Sequence, residues 1–419
     1  MQKYKISTFL VILVIFLDLC PTNSYSLTSS KSYIKKEVTL KKPDPSKLQA
    51  SKYLPLSECK LQELELPDSA SNMFRTGISN LEPKELIKVI VIFVDFSDLE
   101  SSILYAPNFG LVTDHISEYF AAISNGQIRF KWMEEKSIAR MPKSLVDYGV
   151  GSRLHLNQAV QIIQDAQAIA SSNYSHEDFN YFIVVSPPEI SHSQLSTSVS
   201  LLQSESEFIN STLLANDFWR SGMSWAIPAH EIGHAMGLLD LYSYESAENV
   251  IAHPSLYQEQ FLYMKYFDLM NWPTGPAPEM SAWNRWELGL LKFDQVKCLP
   301  SSVTETNLVA LEGQDFGAKA LFLKLDEFRM IVIENRQAIG FDRALPISAR
   351  GVIIYLVNLR VKSGLGPQRL LHVIQRKDRA NALALSEHVV QKIGGYDIVC
   401  LGYYKFRARI RVSSTLLSR

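Results

Sequence analysis

The segment from His230 to Asp240, H-E-I-G-H-A-M-G-L-L-D, is the stretch that decides the fold. Residues four apart share one face of an α-helix, so the imidazoles of His230 and His234 can converge on one metal ion. Glu231 leaves the helix about 100° round from His230, where its carboxylate can act on a water beside the metal. The spacing predicts a metal-binding helix that also carries a general base.

The residues after the second histidine indicate how a third ligand could reach the metal. Gly237 suits a helix end in the left-handed conformation, after which the chain can double back. Asp240 is the first carboxylate beyond that turn, and a fourth position is then left for water, as in catalytic zinc centres. Glu245 and Glu248 stay open as alternative third ligands.

A chance match is the competing interpretation. The H-E-x-x-H pattern alone arises in roughly one chain in a hundred of this length at average residue usage. Chance matches usually lie on exposed helices, whereas apolar residues flank this segment at Trp225–Ile227 and Ala235–Leu239. Burying two imidazoles and a carboxylate without a partner is costly, and a metal ion offsets that cost. The flanks therefore favour a metal site.

The expected helix runs from about Ala226 to Leu238. Ser224 can cap its N-terminus, and Pro228 fits the first turn because no intrahelical hydrogen bond is lost there.

The N-terminus is typical of a secretory signal peptide. Lys3 and Lys5 precede an apolar run from Phe9 to Leu17, which is too short to span a bilayer. Cleavage is expected after Ser26, so we expect a secreted, extracellular protein with no membrane association after cleavage. Cys20 lacks the small preceding residues that lipidation usually requires.

Three cysteines remain after this cleavage: Cys59, Cys298 and Cys400. They cannot all pair within one chain. In an oxidising compartment we expect a bridge between Cys298 and Cys400, since both lie in the C-terminal part, and a free Cys59.

Composition excludes some classes of partner. The net charge is −1 and no long basic block occurs, which argues against a nucleic-acid partner. A hydrophobic content of 47% in a chain of 419 residues is enough for a large core and for two or three domains.

The order of patterns along the chain predicts its organisation. Residues 27–85 are linker-like, with Lys, Ser and Pro early on. A buried strand is expected at Lys88–Phe96, a helix at Leu156–Ile169 and another strand at Asn180–Val185. Strands predominate from Lys319 onward. The predicted regions are a signal peptide (1–26), a pro-segment-like region (27–85), a catalytic domain with a mixed sheet, an active-site helix and a backing helix (86–295), and a β-rich domain (296–419).

Five blocks of sequence carry a family resemblance when they are taken together. They are V-I-F-V-D-F-S-D at Val91–Asp98, the turn Ser124–Gly126, the metal segment extended to Tyr242, Phe267–Met270 with Ala282–Trp283, and Ile333–Asp342. Together they resemble the secreted bacterial metallopeptidases of the immune inhibitor A family, over scattered blocks from about residue 88 to residue 360. The chain departs from the family at Leu239 and Ser243, where a proline and a second aspartate are common, and at Tyr355–Asn358, where many members have W-H-x-D.

This resemblance implies an α+β fold with a zincin-like catalytic domain. It also implies a secreted zinc-dependent endopeptidase, often made with a pro-segment. His230, His234 and Asp240 would bind one catalytic Zn²⁺ ion, and Glu231 would be the general base for hydrolysis of peptide bonds. A structural Ca²⁺ ion stays open, although no motif indicates one. The partner would be a protein or peptide substrate, while its sequence specificity and the oligomeric state stay open.

Several further roles follow as hypotheses. Tyr242 or His253 could stabilise an oxyanion. Met270 could form a hydrophobic floor beneath the metal, or be an ordinary core methionine. If residues 27–85 cover the cleft, Cys59 or Asp68 could supply a fourth zinc ligand.

Two other functions compete with the endopeptidase. The first is a catalytically weak or inactive pseudo-peptidase that acts as a secreted binding module, and the second is a zinc hydrolase of non-peptide substrates. The presence of Glu231 argues against the first, since its loss would be the expected mark of a pseudo-enzyme.

Overall fold

The structure is a computed structural model, and it describes residues 12–15, 53–62, 86–101, 108–135, 137–150, 156–170, 179–187, 189, 197–201, 210–214, 225–246, 254–300, 302–371, 374–375 and 381–415. The principal helices within these ranges are α1 (Phe109–Ser124), α2 (Leu156–Ala170), α3 (Ala226–Ala235) and α4 (Ala282–Glu287). Short 3-10 helices cover Leu56–Cys59, Pro254–Phe261, Gly340–Asp342 and Ile347–Ala349.

The described residues of the first sheet form seven strands: β1 (Ile12–Ile15), β2 (Leu86–Asp95), β3 (Arg129–Glu134), β4 (Ala139–Arg140), β5 (Tyr181–Val185), β6 (Thr197–Leu201) and β7 (Asn210–Leu214). Their order is β1-β6-β7-β5-β2-β3, with β4 also paired to β2. The β3-β2-β5-β7 part is parallel, whereas β6 runs antiparallel to β7 and β1 antiparallel to β6.

The burial of strand β2 on both faces explains why the first strongly apolar run of the sequence has no polar interruption. Its Val89, Val91 and Phe93 side chains belong to a core that also includes residues of α1 and α3. The alternate residues, such as Ile90 and Ile92, belong to a second core with residues of α2. A strand buried on both faces needs apolar residues at every position. The sheet therefore carries α1 and α3 on one face and α2 on the other.

The C-terminal strands form two larger sheets and a short pair. They are β8 (Val296–Cys298), β9 (Thr304–Val309), β10 (Ala320–Lys324), β11 (Arg329–Arg336), β12 (Gly351–Asn358), β13 (Gln368–Leu370), β14 (Ile374–Gln375), β15 (Asn381–Ala382), β16 (Val390–Ile393), β17 (Tyr396–Tyr404) and β18 (Arg407–Ser414). One sheet has the order β13-β12-β11-β10-β8, another has the order β16-β17-β18-β9, and β14 pairs with β15.

The two larger C-terminal sheets pack on each other. Leu321 and Ile331 of one sheet share a core with Ile398 and Ile410 of the other. Alternate residues of the five-stranded sheet, such as Phe322, belong instead to the core that contains α1 and α3. The expected combination of a mixed sheet with helices and a β-rich C-terminal part is thus present, and the fold is compatible with the α+β class. Leu291 and Val296, on either side of the predicted boundary near residue 295, belong to the same core, and the domain division stays a prediction.

The structure corrects the predicted disulfide. Cys59 is bonded to Cys298, with 5.7 Å between their Cα atoms, and Cys400 is a buried free cysteine. Leu54 forms a backbone bridge with Cys298, which brings residues 53–62 to the edge of the five-stranded sheet. Cys400 lies in β17, in the other sheet of the C-terminal part. Closeness in sequence was therefore a poor guide to the pairing, and the bonded Cys59 cannot supply a thiolate to a metal.

The N-terminal predictions lie mostly outside the described residues. Only Ile12–Ile15 of the expected signal peptide is described, where it forms β1, and Asp68 is not described. Over the part of the chain that the structure describes, no helix is long and apolar enough to cross a membrane. Secretion and signal cleavage stay predictions.

Candidate metal centre

Helix α3 positions the metal segment deep inside the protein. Each of its ten residues is buried, including His230, Glu231 and His234. Pro228 lies in its first turn, as expected, while Trp225 precedes the helix and makes no side-chain capping bond. Ser224, the expected cap, lies outside the described residues. A helix that is buried on every side needs a specific reason to carry three ionisable groups.

A glycine turn ends α3 just after the second histidine. Gly237 has φ of 97°, its N–H donates to the His234 carbonyl at 2.8 Å, and the Leu238 N–H donates to the Gly233 carbonyl at 3.0 Å. This pair of bonds is the Schellman motif, in which glycine takes the left-handed position past the helix end. The helix ends at Ala235, three residues before the expected Leu238. The turn sends the chain back toward the histidines.

Three ligand atoms converge behind this turn. The Nε2 atoms of His230 and His234 lie 3.1 Å apart. The Oδ1 atom of Asp240 lies 3.0 Å from the first and 3.2 Å from the second. All three side chains are fully buried. The three atoms form a nearly equilateral triangle.

The hydrogen bonds of the two imidazoles determine which ring nitrogen of each histidine can bind a metal ion. The Nδ1 atom of His230 lies 2.9 Å from the Leu269 carbonyl oxygen, and Nδ1 of His234 lies 2.8 Å from that of Leu238. A carbonyl only accepts, so we assign the ring proton to Nδ1 in each case. In the neutral form each Nε2 then offers a lone pair, and the triangle holds three electron-rich atoms that would repel one another.

A zinc ion fits this donor set. Tetrahedral zinc with ligand distances of about 2.0–2.1 Å separates its ligand atoms by roughly 3.3 Å. The triangle edges of 3.0 to 3.2 Å are within a few tenths of an ångström of that spacing. Two neutral imidazoles and one carboxylate are a ligand set typical of zinc. The alternative is an ion pair in which one protonated histidine donates to Asp240.

The neighbouring histidines favour the ionised form of Asp240. Burial raises the pKa of its carboxyl, but the adjacent His234 and His230 side chains outweigh burial and bring that pKa below its usual value. Its Oδ1 atom accepts no hydrogen bond of regular geometry although both Nε2 atoms are close. Its Oδ2 atom accepts a hydrogen bond from the Tyr244 hydroxyl at 2.6 Å.

The other candidate side chains lie in different positions. Glu245 is exposed, while Glu248 and His253 lie outside the described residues. Tyr242 is buried, with its ring 6.3 Å from that of His230. Burial and the neighbouring charges of Asp240 and Glu231 raise its pKa well above the usual value. The structure thus brings Asp240 to the histidines and does not bring Glu245 there.

Met270 lies beneath α3. A Cβ atom added at Gly233 would lie 2.7 Å from the Met270 sulfur, so this side chain packs directly on the helix between the two histidines. The same turn supplies the Leu269 carbonyl to His230, and the Met270 carbonyl accepts from the Leu241 N–H at 2.9 Å. The turn therefore supports both the helix and the returning chain.

Asp268 holds this turn in place. It has φ of 78°, and its Oδ1 accepts from the Met270 N–H at 2.8 Å. Its Oδ2 accepts from the Ser281 N–H at 2.7 Å and from the Asn284 side-chain amide at 2.8 Å. These bonds link the turn to the start of α4. The F-D-L-M pattern indicated a role for its methionine, while no local signal marked the aspartate.

Comparison of the sequence with models of known protein families found no matching family, and comparison with curated proteins found no match. The resemblance to the immune inhibitor A family therefore rests on the short blocks of sequence quoted above.

Proposed function

We propose that this protein is a secreted zinc-dependent endopeptidase of the zincin type. The observation that carries the proposal is the buried triangle of His230 Nε2, His234 Nε2 and Asp240 Oδ1. A helix with H-E-x-x-H spacing, a Schellman turn and a returning aspartate supports the same conclusion. The short apolar N-terminal run supports secretion.

The residues of the site would have separate roles in peptide hydrolysis. Bound zinc would polarise the scissile carbonyl and lower the pKa of a water molecule. Glu231 would take the proton of the attacking water and then pass it to the leaving amine. The Leu269 and Leu238 carbonyls would hold the two imidazoles in the tautomer whose Nε2 lone pair can bind metal.

The test is peptide hydrolysis by the purified mature chain and two variants. Glu231→Gln should keep the metal and lower turnover by about 10²–10⁴-fold, the usual contribution of a general base. Glu245→Gln is the matched control, because this exposed glutamate undergoes the same chemical change only a few residues beyond Asp240. Chelation should abolish the activity of the wild type.

Because the site is buried, the experiment includes a limited-proteolysis step. His230, Glu231, His234 and Asp240 have no exposed surface, and residues 27–85 are expected to act as a pro-segment that covers the cleft. Each protein is therefore assayed before and after limited proteolysis. Zinc-loaded wild type that cleaves no peptide in either state would favour the binding module. Near-normal turnover by zinc-loaded Glu231→Gln would assign the base to another group.

A further inference from the structure

The hydroxyl groups of Tyr244 and Ser363 lie beside Asp240, near its Oδ2 atom and its backbone N–H. The Tyr244 hydroxyl lies 2.6 Å from Asp240 Oδ2 and 3.1 Å from the Ser363 Oγ atom. The Asp240 backbone N–H donates to the same Ser363 Oγ at 3.0 Å. Ser363 lies in the loop that connects β12 and β13, 123 residues from Asp240. The C-terminal part of the chain therefore reaches the metal centre.

The donors and acceptors in this group fit only one arrangement. The Tyr244 hydroxyl donates to Oδ2 of Asp240, so its single proton is used there. Ser363 must then donate its own proton to the Tyr244 oxygen while it accepts from the Asp240 N–H. The three bonds form a closed ring in which every hydroxyl both donates and accepts once. Such rings strengthen each member bond in a buried setting.

Backbone hydrogen bonds also hold the loop of Ser363 against Asp240 and Tyr244. The Gly364 N–H donates to the Asp240 carbonyl at 3.1 Å, and the Tyr244 N–H donates to the Gly364 carbonyl at 3.0 Å. Gly364 has φ of 74°, and a Cβ atom there would overlap the Tyr244 ring. The ring thus lies flat on the glycine, which leaves the hydroxyl little freedom to move away from Asp240.

We propose that Tyr244, which donates to Oδ2 of Asp240, and Ser363, which orients the Tyr244 hydroxyl, are positioning residues that leave Oδ1 of Asp240 to bind the metal. This inference rests on the proposed zinc site. It makes metal affinity depend on a loop of the C-terminal part. Removing the Tyr244 hydroxyl takes this hydrogen bond from Oδ2, so that the carboxylate can rotate or bind the metal through both oxygens.

The experiment measures metal binding by the full mature chain, with Zn²⁺ for affinity and Co²⁺ for its visible spectrum. Tyr244→Phe should weaken zinc binding by about 10–100-fold, as is usual when a partner of a metal ligand is lost. Ser363→Ala should weaken it in the same direction. Tyr263→Phe is the matched control, because the Tyr263 ring packs on Gly366 as the Tyr244 ring packs on Gly364.

The Co²⁺ spectrum separates positioning from general loss of structure. Tyr244→Phe should show weaker visible bands if the carboxylate gains a second bond to the metal, while the thermal midpoint of its metal-free form should match that of Tyr263→Phe. If Tyr244→Phe does not fold, Ser363→Ala carries the same comparison. Wild-type affinity and spectrum in both variants would overturn the positioning role and leave the metal site standing. A wild type that binds neither ion would overturn the metal site, and the positioning role with it.

Discussion

Replacement of Gly233 by alanine tests whether Met270 closes the site from below. The added methyl group would lie 2.7 Å from the Met270 sulfur and 3.5 Å from its terminal carbon. Both residues are fully buried, so the methionine has little room to retreat. The same change at Gly110 in α1 meets nothing within 4 Å and serves as the matched control.

The expected effect is a balance of two contributions. Alanine stabilises a helix interior by about 1 kcal/mol relative to glycine. Overpacking a filled core costs about 1–3 kcal/mol. Gly233→Ala should therefore lower the free energy of unfolding by up to about 2 kcal/mol. Gly110→Ala should instead raise it, by up to about 1 kcal/mol.

A double-mutant cycle isolates the packing contact between position 233 and Met270. Met270→Ala should cost about 2–5 kcal/mol by itself, since it leaves a cavity beneath α3. Adding Gly233→Ala to that variant should now stabilise it, because the new methyl group enters the vacated space. Denaturant unfolding of the metal-free proteins measures all four states. If Gly233→Ala changes stability by the same amount with and without Met270, the packing contact does not control this position.

Two other predictions concern the third ligand and the disulfide. Asp240→Ala should lower zinc affinity severely, whereas Glu245→Ala should leave it unchanged; normal zinc binding by Asp240→Ala, measured by titration, would refute the ligand assignment. The unfolded, unreduced mature chain should react with one equivalent of a thiol reagent, and peptide mapping should place the label on Cys400. Cys59→Ala should lower the thermal midpoint, since losing a disulfide typically costs about 2–5 kcal/mol. Labelling of Cys59 in place of Cys400 would indicate that Cys298 pairs with Cys400 instead.

The metal helix could be predicted because its signals are local. The spacing of His230 and His234 sets their common face, and Gly237 marks the helix end within the next turn. The long apolar strands could be predicted for the same reason. Strands β6 and β7, T-S-V-S-L and N-S-T-L-L, were missed because they are short and rich in serine and threonine.

Contacts between distant segments could not be predicted. The bond that Ser363 makes with Asp240 depends on how the C-terminal sheet packs against α3, and no periodicity in the sequence encodes that packing. The partner of Cys59 likewise depends on which sheet edge residues 53–62 join. The candidate ligands and the candidate base could be predicted from local spacing, while the side chains and carbonyls that support them required the tertiary structure.

The most direct test of the metal centre is the zinc content of the purified mature chain beside that of His230→Ala. The triangle of two imidazoles and one carboxylate predicts one zinc ion per wild-type chain and none retained by the variant after dialysis. X-ray absorption on the wild type should show nitrogen and oxygen ligands at about 2.0–2.1 Å. A metal-free wild type, or one zinc ion per chain in His230→Ala, would contradict the assignment.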